Sequence, residues 1–243
     1  MTPRQKKLLE AIINEFIESA EAVGSINLVS KYGWDVSSAT IRNEMAELMK
    51  QGYLRKTHTS AGRIPTTLAY KEFVADLIDE IAENNLEITL ASIIRQELFK
   101  QRFDLDELIY TALQSLVEQT NNVAMGLFGS RVYHAGLAKI PTLPEYKQVE
   151  GLCNLIRVIE DRITLKKILT RNYTDSKVRV LFGSDTKLEV FKDTVIIYSL
   201  VNLYDNSKGY VGVIGPERID YQKIVPTVDF VANTMEDVIS GWR

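Results

Sequence analysis

Apolar residues at helical spacing open the chain. Leu8, Leu9, Ile12, Ile13, Phe16 and Ile17 form one stripe behind Thr2, Pro3 and Gln5, which supply an N-cap, a proline at the first helical position and a capping box. A short second helix follows, capped by Ser25 and running to about Tyr32, with Gly33 closing it in the left-handed conformation. Ser37 caps a third helix that runs to Gln51 and stops at Gly52. Its Ile41, Met45 and Leu48 face inward, and Ser38, Ala39, Arg42, Asn43 and Ala46 face outward. Tyr53-Leu54-Arg55-Lys56 reads as a short strand, and Thr57–Arg63 as a polar loop in which Gly62 is available for a positive-φ turn. Ile64-Pro65 returns as an edge strand, where proline is tolerated. Three short helices and a hairpin in succession predict the winged variant of the helix-turn-helix.

A linking helix is predicted from near Thr67 (Tyr70, Phe73, Val74, Leu77, Ile78, Ile81), broken at Asn84-Asn85. A second spans Ile88–Gln101, with Ile93, Ile94, Leu98 and Phe99 apolar. Asp104 and Glu107 mark the start of another helix, with Leu105, Leu108, Ile109, Ala112, Leu116 and Val117 on one side. From Asn121 the pattern turns to mixed α and β. Strands are predicted at Val123–Phe128, Val132–Ile140, Val178–Phe182, Thr194–Leu203 and Tyr210–Ile214, the last two joined through Asn206-Ser207-Lys208-Gly209. Helices are predicted at Val149–Ile159, Ile163–Leu169 and Tyr221–Ile239, with Pro226 acceptable only near a first turn or as a kink. This order predicts an α+β chain with an antiparallel sheet and helices on one of its faces.

At 243 residues the chain is long enough for two domains. The expected division is a winged-helix domain over 1–72, linking helices over 73–103 and a third region over 104–243. No apolar run approaches a membrane span and no signal-peptide core follows the N-terminus, so a cytoplasmic protein is expected. The single Cys153 excludes an internal disulfide framework. Two histidines and one cysteine exclude a His/Cys metal centre. Net charge is −3, but it is uneven: Arg42–Lys71 holds six Lys/Arg against two acids, whereas 74–243 holds 19 bases against 24 acids. A cationic element on an acidic body suits a nucleic-acid reader.

The start of the third helix has the composition of a major-groove reader. Ser38 and Thr40 are small or hydroxylated, and Arg42 and Asn43 carry bidentate donors and acceptors for guanine and adenine. Lys50, Arg55, Lys56, His58, Thr59, Ser60 and Arg63 are candidate phosphate or wing contacts. The competing reading is a solvated helix and an ordinary polar turn; the preceding helix-turn and the basic hairpin favour DNA. No other feature carries chemistry. Gly209, Gly212 and Gly215 lie in and after a strand rather than opening a helix, so they build no phosphate loop. Cys153, flanked by Leu152, Leu155 and Ile156, reads as a buried small hydrophobe, and His134 has no identifiable partner. No catalytic residues, metal or cofactor are expected, and the chain does not read as an enzyme.

Ala39-Thr40-Ile41-Arg42-Asn43-Glu44-Met45-Ala46, with His58-Thr59-Ser60-Ala61-Gly62-Arg63-Ile64-Pro65-Thr66 and Tyr70, resembles the HrcA family, the heat-inducible transcription repressors of bacteria. Val23-Gly24-Ser25, Val132–Leu137 and Gly212–Tyr221 with Pro226 are similar to further blocks of the same family. The resemblance implies a winged-helix DNA-binding domain, a GAF-like C-terminal domain and a dimer on an inverted-repeat operator upstream of chaperone operons. It also implies release on heat or on shortage of a GroEL-type chaperonin. One departure stands out. Family members carry a long insertion in the GAF-like region, used in dimer contacts, whereas here Phe128 passes through Gly129-Ser130-Arg131 almost directly to Val132. The helices at Phe73–Ile81 and Ile88–Phe99 are then the candidate dimer surfaces. Two other readings remain: a regulator whose GAF-like domain senses a small molecule in a pocket near Gly136 and Gly183, and a winged module that binds protein.

Overall fold

The structure, a computed structural model, describes every residue except 57–61, 81–86, 143–144, 146–148, 172–176, 189–190, 192–193 and 242–243. The chain divides into two units: Met1–Leu77 with Arg218–Asp220, and Ile78–Glu217 with Tyr221–Arg243.

In the first unit, α1 (Pro3–Ser19) begins with both halves of its capping box in place. Thr2 Oγ1 accepts from Gln5 N–H, and the Gln5 side chain accepts from Thr2 N–H. Leu8, Leu9, Ile12 and Ile13 are buried, so the predicted stripe faces the core. The second helix, α2 (Ser25–Tyr32), differs at its start. Gly24 occupies the cap position without a side-chain bond, and Ser25 is the first helical residue and buried. Gly33 ends it at φ +59°. The third helix, α3 (Ser38–Lys50), is capped by Ser37 and buries Ile41, Met45 and Leu48. Gly52, at φ +86°, turns the chain into β1 (Leu54–Lys56), which pairs antiparallel with β2 (Arg63–Pro65) in the register Leu54↔Pro65, Arg55↔Ile64, Lys56↔Arg63. Helix α4 (Thr67–Glu80) buries Ala69, Tyr70, Val74 and Leu77.

Gly62 has a different role from the one its sequence suggests. Its φ is not positive; instead a Cβ there would lie 2.4 Å from Ala22 Cβ and 2.7 Å from Ala22 O. The glycine is required by close approach of two backbones, fixed by the paired bonds between Val23 and Arg63 (both 2.9 Å).

The second unit is α+β. A five-stranded, fully antiparallel sheet has the order β4-β3-β7-β6-β5, with β3 Val123–Phe128, β4 Arg131–Ala135, β5 Val178–Phe182, β6 Thr194–Asn202 and β7 Lys208–Pro216. Its helices are α5 (Ile88–Lys100), α6 (Leu105–Thr120), α7 (Val149–Glu160), α8 (Arg162–Arg171), the short α9 (Gly183–Thr186) and α10 (Tyr221–Ser240). Contrary to the one-sided packing expected, helices cover both faces. Val123, Met125, Leu127, Ile196, Tyr198, Tyr210 and Ile214 join Leu155, Ile159, Leu165 and Leu169 of α7 and α8 in one core. The alternate residues, among them Val195, Ile197, Val211 and Val213, are equally buried on the side of α6 and α10.

Two further expectations are corrected. The strand predicted over Val132–Ile140 stops at Ala135, because Gly136 at φ +81° turns the chain into a 3-10 helix, Leu137–Thr142. Cys153 is exposed rather than buried. Helix α7 packs through Leu155, Val158 and Ile159, and a residue two positions before Leu155 lies on the opposite side of the helix. Pro226 sits in the second turn of α10, next to its first. As the sequence suggests, β3 and β4 are joined by Gly129-Ser130 alone, with Phe128 paired to Arg131 and Gly129 at φ +59°. Among the described residues no helix is long and apolar enough to cross a membrane, and no group of three or more His, Cys, Asp or Glu could hold a metal ion.

Candidate nucleic-acid interface

Helix α3 is amphipathic, so burying Ile41, Met45 and Leu48 turns the intervening residues outward. Ser37 Oγ accepts from Thr40 N–H at 3.1 Å and lies 3.0 Å from Thr40 Oγ1. The Thr40 hydroxyl is thus half-buried and engaged in the cap, and Ser38 is also half-buried. Arg42 and Asn43 are exposed, and among the described residues neither side chain has an intramolecular hydrogen bond or ion pair. Their donors and acceptors remain open for another molecule.

The hairpin is tied to the end of the same helix. Tyr53 N–H donates to Leu48 O at 3.0 Å, and Thr66 Oγ1 donates to Gly52 O at 2.7 Å. Leu54 and its opposite number Pro65 bury one face of the hairpin, and Arg55 and Lys56 are exposed and, among the described residues, unpaired. Lys50 is exposed and, among the described residues, pairs only with Glu47 at 3.3 Å, a surface contact worth about 0–1 kcal/mol and readily exchanged. Arg63 is placed differently: half-buried at the loop end of β2, opposite Lys56, its Nη1 donates to Gly62 O at 3.0 Å, and its Nε is buried without a partner among the described residues. His58, Thr59 and Ser60 lie outside the described residues.

Sequence spacing gives no sign of one contributor. Arg4 of α1 pairs with Glu44 of α3, whose side chain is only 12% exposed. An acid next to Arg42 and Asn43 is thereby neutralised and drawn away from the open face, leaving it cationic. Forty residues separate the partners, too far for any helical period to link them. Elsewhere in the unit, Lys31 bridges Glu15 (2.5 Å) and Glu18 (3.0 Å), and hydrogen bonds to the two carboxylates hold its ammonium well above the usual lysine range. Tyr32 donates to Glu15 at 3.1 Å, and burial followed by that bond raises its phenol. These contacts fix α2 against α1.

The glycines suggested as lining a small-molecule pocket are filled positions. A Cβ on Gly183 would fall 1.6 Å from Phe191 O, and one on Gly136 would fall 2.7 Å from a Val117 methyl.

The sequence matches the family model described as the HrcA protein C-terminal domain over residues 36–225. A heat-inducible transcription repressor HrcA from Carboxydothermus hydrogenoformans is 26% identical, with 98% of each chain covered. Its counterpart from Thermodesulfovibrio yellowstonii is 25% identical, covering 98% of this chain and 97% of its own. The first alignment runs over 336 positions, 93 more than the 243 residues of this chain, so the relative carries at least that many residues without a counterpart here. Among solved structures, a protein described only as hypothetical matches over the full length of both chains, with a TM-score of 0.85 at 16% identity, and shares the fold. With the model spanning well over half its length, the chain belongs to the HrcA family.

Proposed function

We propose that this protein is a transcriptional repressor of chaperone operons that binds an inverted-repeat operator as a two-fold dimer in the cytoplasm, and that it is released by heat or by shortage of a GroEL-type chaperonin. One observation carries the DNA reading: Arg42 and Asn43 are exposed and unpaired on a helix anchored by Ile41, Met45 and Leu48, and the exposed Arg55 and Lys56 follow on the hairpin that the helix leads into. Naming of the relatives as heat-inducible transcription repressors supports the regulatory role.

In this reading the first unit is a winged helix and the five-stranded unit a GAF-like domain. Helix α3 enters the major groove, with Arg42 and Asn43 on base edges and Ser38 and Thr40 close to the backbone or a base. Lys50, Arg55 and Lys56 contact phosphates, joined by His58, Thr59 and Ser60 of the wing; Arg63 flanks them at the loop end of the hairpin. An inverted repeat requires two reading helices related by a two-fold axis.

The test is selection of bound duplexes from genomic fragments and from a random pool. The expected product is an inverted repeat that maps upstream of chaperone genes. Recovery of sequences with no shared motif, at a salt concentration where binding is still measurable, would refute sequence-specific repression.

A further inference from the structure

The second unit leaves a groove of about 690 Å³ between α5 and the C-terminal end of α10, lined by Arg95, Phe99, Arg102, Phe103, Asp237 and Val238. Helix α5 is anchored by Ile94 and Leu98, while Ile88, Phe99 and Phe103 face out, the two rings 57% and 84% exposed. The Arg102 guanidinium lies 4.5 Å from the Phe99 ring centroid and 4.4 Å from that of Phe103, holding both rings at the surface. A phenylalanine so exposed is common singly, but two neighbouring rings form an apolar patch at one end of α5, and Ile88 lies at the other end of the same side of the helix.

We propose that this face binds a second copy of the chain, with α5 packed antiparallel against its mate. The register follows from the outward residues. On the exposed side of α5, Ile88, Ser92, Arg95, Gln96 and Phe99 fall in line, with Phe103 just beyond the helix end. A two-fold axis between Arg95 and Gln96 places Ile88 of one copy against Phe103 of the other. The same axis sets the bulky Phe99 opposite the small Ser92, a knob facing a hole. Arg95 does not crowd the axis, because its guanidinium is drawn over the Phe230 ring of α10, 5.1 Å from the centroid. The rim carries both signs, with Arg102 on one side and Asp237 on the other, so it is complementary to itself.

Size supports the same occupant. Ile88, Phe99 and Phe103 leave roughly 400 Å² of apolar surface open per copy, and with the stems of Arg95 and Arg102 a dimer withdraws on the order of 1,000 Å², the lower bound for a specific interface. This proposal deepens the reading of the chain as a two-fold DNA binder, and supplies the contact that the short Gly129-Ser130 turn cannot.

The experiment is sedimentation velocity on the full chain from 1 to 100 µM without DNA, for the parent, Phe99→Asp, Phe103→Asp and Ile163→Asp. Ile163 is an exposed isoleucine on α8, outside the groove. A dimer is expected for the parent and for Ile163→Asp, with the dissociation constant raised at least about 30-fold in both phenylalanine variants. Unchanged far-UV circular dichroism shows that they remain folded. A monomeric parent at 100 µM overturns the proposal, as does a Phe103→Asp chain that dimerises like the parent, or an Ile163→Asp chain that dissociates with it. A separate arm measures binding to a random-sequence duplex pool at low salt. A parent that dimerises through this face but binds no duplex defeats the DNA reading and leaves the interface standing; the Phe103→Asp chain that binds duplex as a monomer isolates the converse.

Discussion

Replacing Arg42 by alanine separates base reading from every other role the residue could have. Arg42 is exposed on α3 and has no partner among the described residues, so its loss opens no cavity and strands no polar group. The stability change should therefore stay within about 0.5 kcal/mol. A bidentate contact to one base is worth about 1–3 kcal/mol, which is roughly a 5- to 150-fold change in dissociation constant per half-site. Both copies on an inverted repeat lose the contact. Because the half-sites are distant enough to add, the operator complex loses about 2–6 kcal/mol. The assay measures affinity for a selected duplex and for a scrambled one at four or more salt concentrations. Expected is a large loss on the selected duplex, little on the scrambled one, and a parallel salt dependence. Equal losses on both, with the log-log salt slope reduced by about 0.9 per copy, would make Arg42 a phosphate contact and remove it from sequence reading. An unchanged affinity would refute its presence in the interface.

Other outcomes follow from named contacts. Lys56→Ala should weaken selected and scrambled duplexes alike and flatten the salt slope by about one unit per copy, read from the same titrations. Gly62→Ala should cost about 1–3 kcal/mol in urea unfolding, since its methyl would sit inside contact distance of Ala22 and force β2 away from Val23. Asp229, half-buried on α10, has its carboxyl raised above the usual range by desolvation and then by the nearby Glu236, opposed by Lys177 and by the hydrogen bond from Asn233 at 2.9 Å. A raised native value means that the folded chain binds the proton more tightly, so this group's contribution to stability falls as pH rises from the ordinary aspartate range through the raised value. Asp229→Asn should accordingly raise the melting temperature at pH 7 and leave it unchanged at a pH below the ordinary aspartate value, which thermal denaturation at the two pH values measures.

The regulatory consequence of such terms is direct. Native stability is a small difference between large opposing contributions, so a shift of about 1–2 kcal/mol changes the active fraction several-fold. Under the proposed reading, release by heat needs no dedicated thermometer when the first unit is held by contacts such as the Thr66 bonds and the Val23–Arg63 pair.

Local order was legible in the sequence because it is set by neighbours. The Thr2–Gln5 box, the Ser37 cap, the left-handed Gly33, the inward triad of α3 and the strands Val123–Phe128 and Val178–Phe182 all involve residues a few positions apart, where spacing and side-chain type decide the conformation. The exposure of Arg42 and Asn43 followed from the same periodicity. Even the two-sided burial of the sheet left a trace: Val195–Val201 and Tyr210–Ile214 are nearly continuous apolar runs, whereas a sheet open on one side alternates. Only tertiary structure decided the rest. Gly62 is a glycine because Ala22 approaches it, Glu44 is drawn off the α3 face by Arg4 from another helix, Arg63 is half-buried where its backbone pairs with Val23, and Cys153 turns outward because Leu155 and Ile159 claim the core. Each depends on two segments meeting across the fold, and a period read along one segment carries no information about what lies opposite it.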